Sequence, residues 1–252
     1  GHADSALIYG FGKSSPGELR TVMSLQLDPY YHVPLWPDSI SLAALQARAM
    51  LDSGVIGERD MAEVVARSRA NAQSNPNAQL KGNPGIEQLL AEPTFVSPLR
   101  RHDCPPITDG ASAMVIASAD AAARYCKRPA WVRGIDHRME TGIIGARDLT
   151  RSPSTRIAGE KAGVARGRVD LAELHAPFSH QEIILRRELG LADSVPVNLS
   201  GGALAGNTMM AAGLDRIGYV AAQIMDGKAD RGVAHATSGP CLQQNLVAVL
   251  EA

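Results

Sequence analysis

The chain has 252 residues, 45% hydrophobic and 20% charged, a balance that supports a packed core and excludes a disordered protein. Its 25 Lys and Arg against 26 Asp and Glu give a net charge of −1 without a basic block, which excludes an electrostatic footprint for nucleic acid or an anionic membrane and favours a small substrate. Three separated cysteines, Cys104, Cys126 and Cys241, have no CxxC spacing, which argues against a zinc site or a disulfide framework and points to the reducing cytoplasm.

The sequence starts without Met and without a charged-then-apolar leader, and no run of about 18 apolar residues offers a membrane span. Aromatics are only 4% while glycines number 24, so the core is expected to be built from Ala, Val, Leu and Ile with close backbone approaches. Residues 5–11 read as a short buried strand, followed by a turn over 13–17. From there to about residue 101 the texture is Pro-punctuated and helical. Leu42, Leu45, Ala49 and Met50 give residues 41–53 one apolar face, with Gly54 as the stop. A second helix spans 58–72 with Met61, Val64 and Val65 inward, and 71–85 is loop-like. Together these elements form a helical insertion between two strands of a sheet.

After Pro105 and Pro106, strands and helices alternate. The unbroken apolar run Ala113–Ala117 predicts a strand covered on both faces. A short helix over 118–125, a strand over 131–135, a helix over 153–164 and a strand over 170–174 follow. Helices over 179–189 and 209–225 precede closing strands at 231–236 and 245–250. This order predicts a layered α/β protein.

Three turns at strand-to-helix or strand-to-strand junctions hold the candidate chemistry, because ligands of α/β layers bind at strand ends. His175 closes the strand at 170–174, ahead of Pro177 and a capping Ser179. There a neutral imidazole could donate to an oxyanion or move a proton; the alternative is a histidine that satisfies buried backbone groups. Ser200, Gly201, Gly202 and Gly206 form a Gly-rich turn whose backbone N–H groups could crowd a substrate oxygen, or simply a tight turn. It lacks the spacing of a nucleotide loop. His235 and Cys241 share the last turn, where Cys241 is a nucleophile if His235 lies beside it and otherwise a small buried thiol. Cys104 and Cys126 read as structural.

These segments resemble a known family. Arg101–Ala113 resembles the loop-to-strand signature of the thiolase superfamily, in its sterol-carrier-protein-x and lipid-transfer-protein branch. Glu173–Phe178 is similar to that branch's His-Asp-Cys-Phe motif, the counterpart of Asn-Glu-Ala-Phe in ordinary thiolases. Val197–Gly202 resembles the Asn-Pro-Ser-Gly-Gly turn, and His235 with Gly239 resembles the C-terminal His-Asn-x-Gly-x-Gly-Gly. The four motifs are collinear over the whole chain.

The resemblance implies a five-layer α-β-α-β-α fold of two similar halves with an inserted helical loop domain. Residues 1–12 would be a remnant of the N-terminal half, 13–105 the loop domain, 106–128 the end of the N-terminal half and 129–252 the C-terminal half. Gly1–Asp4 resembles the end of the family's Ser-Gly-Gly-Ala-Asp segment, so the part bearing the nucleophilic cysteine is expected to be missing. The resemblance further implies a coenzyme A thioester as substrate with no other cofactor and no metal, a homodimer, and an OB-fold partner protein.

Two departures bear on mechanism. Where ordinary thiolases place the His of Gly-His-Pro, this chain has Asn207 between Gly206 and Thr208, and an amide takes no proton at neutral pH. The second catalytic cysteine is replaced by Gly232–Ala234. His175, His235 and Asn207 therefore stand as the catalytic candidates, with Ser200, Gly201, Gly202 and Gly206 as substrate-binding ones. The expected activity is formation or cleavage of a carbon–carbon bond in an acyl-CoA, with retro-aldol cleavage of a 3-hydroxyacyl-CoA in lipid or sterol side-chain degradation fitting better than thiolysis. The alternative is a non-catalytic subunit that binds a CoA ester or lipid, and a third reading is a piece of a longer thiolase-like protein.

Overall fold

The computed structural model describes residues 2–252. β1 (Ser5–Gly12) pairs antiparallel with β4 (Gly110–Ala117), Leu7 lying opposite Val115 and Tyr9 opposite Ala113. The helical insertion hangs between these two partners: α1 (Leu19–Ser24), α2 (Ser39–Asp52), α3 (Glu58–Asn71), α4 (Ile86–Ala91) and a small hairpin of β2 (Thr94–Val96) and β3 (Leu99–Arg100). The Asp38 carboxylate caps α2 by accepting from Ser41 N at 2.7 Å, and Asp60 does the same for Gly57 N at the start of α3 at 2.7 Å. Ala43, Ala47 and Met50 of α2 and Met61, Val64 and Val65 of α3 face the core. Leu45, expected on that face, is exposed because the stripe of α2 runs through Ala43, Ala44, Ala47 and Met50 instead.

α5 (Ala119–Tyr125) leads to the larger layer: β5 (Trp131–Met139), α6 (Pro153–Ala162), β6 (Leu171–Leu174), α7 (Ser179–Glu188), the single turn α8 (Gly202–Ala205), α9 (Ala212–Met225), β7 (Arg231–Ser238) and β8 (Gln244–Glu251). The sheet order is β5-β8-β7-β6, with β6 parallel to β7 and the other pairs antiparallel. β6 and most of β7 are buried, as strands covered on both faces must be, which is why they read as Leu-Ala-Glu-Leu and Gly-Val-Ala with few polar interruptions. α6 starts at Pro153 and ends at Gly163, whose φ of 87° is left-handed. One core runs from α2 through Leu174, Ile184, Leu185, Val247 and Val249, joining the insertion to the sheet.

The structure also corrects the expectation of strands covered on both faces. β1 and β4 are not covered on both faces: Leu7, Tyr9, Phe11 and Val115 are each 66–69% exposed. The opposite face packs at its Gly10–Gly12 end, where an added Cβ would meet residues 208–214, while Ile8 and Ile116 on it stay partly exposed. An apolar run tells that a strand wants cover on both sides; among the described residues one side receives it in part and the other does not.

Candidate active site

β6, β7 and the insertion meet around an apolar cavity of about 270 Å³. Its walls include Met23, Leu27, Ile40, Leu42, Ile107 and Phe178, and among the described residues no Asp, Glu, Lys or Arg lines it. His175 and Asn207 enter from the sheet side. Because β6 ends at Leu174, the next residue leaves the ladder, and His175 N still donates to His235 O at 3.2 Å. This single bond fixes the backbone that carries the imidazole.

His175 Nε2 lies 3.1 Å from Asn207 Oδ1, while Thr237 N donates to Nδ1 at 3.4 Å. Thr237 O also lies 3.2 Å from Nδ1; the tautomer that pairs the Asn207 amide oxygen carries its proton on Nε2 and donates it there. Burial first, and then the nearby Arg216 guanidinium, pull the His175 pKa down to about 4, so the ring is neutral at physiological pH. Asn207 N donates to Thr108 Oγ1 at 2.9 Å, and the side-chain hydrogen bond of Asn207 among the described residues is the one its Oδ1 makes with His175. The His175 bond thus turns the amide so that its N–H₂ end is left to donate.

His235 lies away from the cavity wall. It is fully buried, its Nε2 is 2.9 Å from Asn245 Oδ1, and Nδ1 has no partner. Burial lowers its pKa to about 3. Its contact with the site is the backbone carbonyl that holds His175. Cys241 does line the cavity, but its thiol donates to Leu42 O at 3.4 Å and burial raises its pKa to about 11. Cys104, also on the wall, is raised to about 12 for the same reason. Neither supplies a thiolate.

The Gly-rich turn has a structural reason of its own. Ser200 N and Oγ donate to buried Glu173 at 2.9 and 2.6 Å, Gly201 N to Asn198 O at 2.9 Å, Gly202 N to Ser200 Oγ at 3.1 Å and Gly206 N to Gly202 O at 3.3 Å. All four N–H groups are committed inside the protein. Gly201 and Gly202 have φ of 94° and 63°, and a Cβ on them would lie 2.6 Å from Ala72 and 2.9 Å from Asn198. Ser200, Gly202 and Gly206 border a separate, polar cavity rather than the one that His175 faces, and Gly201 borders neither. Ser179 is likewise not the cap of α7: its hydroxyl donates to Asp103 at 2.6 Å, and Gln181 accepts from Phe178 N.

Sequence reasoning missed the buried polar scaffold behind these groups. Asn198 accepts from Leu174 N at 2.7 Å and donates to Glu182 at 2.7 Å, and Arg216 Nη1 meets Glu173 at 3.2 Å inside the protein. Asn198 and Glu173 sat within the quoted motifs, whereas Arg216 gave no signal beyond a charge on the apolar stripe of α9. Among the described residues no cluster of three His, Cys, Asp or Glu could hold a metal, and no helix is long and apolar enough to cross a membrane.

Fold and site define an α/β protein with an apolar cavity and a buried imidazole–amide pair at a strand end. The chain is 31% identical over 223 residues to an acetyl-CoA acetyltransferase of Methanothermobacter thermautotrophicus, covering 79% of this chain and 58% of that protein. It is 31% identical over 149 residues to the benzoylsuccinyl-CoA thiolase subunit BbsB of Thauera aromatica, covering 57% of this chain and 38% of that one. Solved structures of similar fold include the Ltp2-ChsH2(DUF35) aldolase, with a TM-score of 0.76 at 20% identity over 99% of this chain and 73% of that chain. Human mitochondrial 3-ketoacyl-CoA thiolase matches with a TM-score of 0.75 at 17% identity over 99% of this chain and 72% of that chain. No protein-family model matches the sequence. The chain is similar in sequence to these thiolases over part of their length and has the thiolase α/β fold. It spans 58% of the acetyl-CoA acetyltransferase and 38% of the thiolase subunit.

Proposed function

We propose that this chain carries the acyl-CoA site of a thiolase-superfamily enzyme that makes or breaks a carbon–carbon bond, in the sterol-carrier-protein-x and lipid-transfer branch. The observation that carries this reading is the free Asn207 Nδ2, oriented by neutral His175 at the wall of an apolar cavity. A thioester carbonyl placed there would receive a hydrogen bond that strengthens as the oxygen becomes an enolate. In retro-aldol cleavage the 3-hydroxyl gives its proton to a general base, the C2–C3 bond breaks with its electron pair going to the enolate, and the protonated base returns the proton to C2. The products are a carbonyl compound and a shorter acyl-CoA. No cysteine thiolate is required, in keeping with the raised pKa values of Cys104 and Cys241. His235 supports the site through its hold on His175 backbone, and no cofactor besides the CoA thioester is invoked. A homodimer and an OB-fold partner belong to the same reading.

The complete protein should cleave a 3-hydroxyacyl-CoA; turnover only of a 3-ketoacyl-CoA with free CoA would sink the aldolase reading. Asn207→Ala should lower kcat by about 10²-fold, the size of one lost oxyanion donor, and His175→Ala by about tenfold through loss of its orientation. A second reading, a CoA-ester or lipid binding subunit without catalysis, is favoured by the absence of any charged group from the described cavity lining. It wins if both variants leave the turnover of the assembled protein unchanged while thioester binding persists.

A further inference from the structure

The cavity wall formed by residues 237–242, between β7 and β8, is a turn that its own backbone disfavours. Gly239 has φ 74°, and two non-glycine residues follow in left-handed conformation, Cys241 at 53° and Leu242 at 58°. Each such non-glycine residue costs about 1 kcal/mol or more and persists only where surrounding groups impose it. Here the surroundings are explicit. Arg147 donates from Nη1 to Pro240 O at 3.1 Å and from Nη2 to Cys241 O at 2.5 Å. Gln46 Nε2 adds a contact to Cys241 O at 3.5 Å, and Asn245 Nδ2 holds Leu242 O at 2.8 Å.

The Arg147 side chain is only 3% exposed, and its Nε meets Glu140 Oε2 at 3.2 Å. The other Glu140 oxygen accepts from Ser154 Oγ at 2.6 Å and Ser154 N at 3.3 Å, which ties the ion pair to the first turn of α6. A planar guanidinium with one side on a carboxylate and two N–H groups on successive carbonyls has no freedom left. Nothing in the proposed chemistry uses this group directly, yet the turn it grips continues from Thr237, whose N–H and carbonyl lie 3.4 and 3.2 Å from His175 Nδ1.

We propose that Arg147 is a positioning residue: it holds the 239–242 turn in its left-handed form and, through Thr237, sets the Nδ1 side of His175 and hence the orientation of the Asn207 amide. This rests on the reading that the His175–Asn207 wall is where the acyl-CoA reacts. Released from Arg147, Cys241 and Leu242 would relax toward ordinary backbone angles and shift the end of β7, where Thr237 pairs with Asn245 of β8.

The test is Arg147→Gln in the complete protein, read in two ways. Turnover of the acyl-CoA accepted by the wild type should lose about tenfold or more in kcat with KM changed by less than about twofold, the signature of a misplaced group rather than lost binding. Independently of turnover, long-range proton–nitrogen NMR of the His175 ring should show that the wild-type pattern, Nε2 protonated and Nδ1 accepting, is lost in the variant. Arg147→Lys, able to reach one carbonyl, should recover part of both. The proposal is overturned if the folded variant keeps the wild-type His175 pattern, or keeps the wild-type kcat. Should Arg147→Gln fail to fold, Glu140→Gln, which removes the carboxylate that aims the guanidinium, is read identically, and an unchanged ring pattern overturns the proposal. If the wild type turns over no acyl-CoA, the functional reading fails on that result and the NMR comparison alone decides the role of Arg147.

Discussion

Burial decides what the histidines can do. His175, His180 and His235 are pulled down to about 4, 3 and 3, because each ring sits where a charge would lose its hydration. Their neighbours agree with neutral rings. Gln46 spends its N–H₂ on Leu149 O and Cys241 O and so offers only its oxygen to His180, while Asn245 spends its own on Ser152, Ser154 and Leu242 O and offers only its oxygen to His235. A folded-state pKa below the unfolded one means that the unfolded chain binds protons first. The stabilisation is therefore complete above about pH 6.5 and is lost as pH falls through 6.5 toward 4 and 3. His175 alone accounts for about 3 kcal/mol over that range. Urea unfolding should give a lower midpoint at pH 5 than at pH 7, and equal midpoints would contradict the neutral assignment. The His175 ring accepts from the backbone N–H of Thr237, as a histidine that satisfies buried backbone groups would, and its other nitrogen lies against Asn207 at the cavity wall.

At the scale of elements, glycine placement carries more information than glycine content. Gly134 in β5 lies against the end of α6, where an added Cβ would come 2.1 Å from Ala162 O. Backbone cannot yield there as a flexible side chain would. Gly134→Ala should destabilise the protein by about 3 kcal/mol, measured as the shift in free energy of chemical unfolding, whereas Gly145→Ala, with nothing within 4 Å of its Cβ, should change it little. The loop at 201–206 shows the same physics misread from sequence. Three glycines in six residues suggest a ligand cradle, but close packing on Ala72 and Asn198 explains two of them and internal acceptors take their N–H groups. Spacing alone does not distinguish a backbone that approaches a ligand from one that approaches another helix.

For the whole molecule, the uncovered face of the β1–β4 ribbon is an exposed apolar surface. Leu7, Tyr9, Phe11 and Val115 form a contiguous apolar strip, since paired strands place alternate residues on one side. Expressed by itself, the chain should self-associate, and the double variant Phe11→Glu, Val115→Lys should shift its sedimentation toward monomer without altering the melt of the four-stranded sheet. Sedimentation unchanged by the substitution would show that this strip is not the sticky surface. The alternating strands and helices, the helices at 41–53 and 58–72 and the strand that ends just before His175 were legible in the sequence, because periodicity and breakers are local. Collinear motifs carried the resemblance to thiolases for the same reason. What only the tertiary structure decided is which groups meet: that Asn207 is turned by His175, that His235 lies behind the wall, that Cys241 is a buried thiol in a left-handed turn, and that Arg147 grips that turn from 93 residues away. Those relations depend on packing between distant segments, and no local pattern of residues encodes the distance between them.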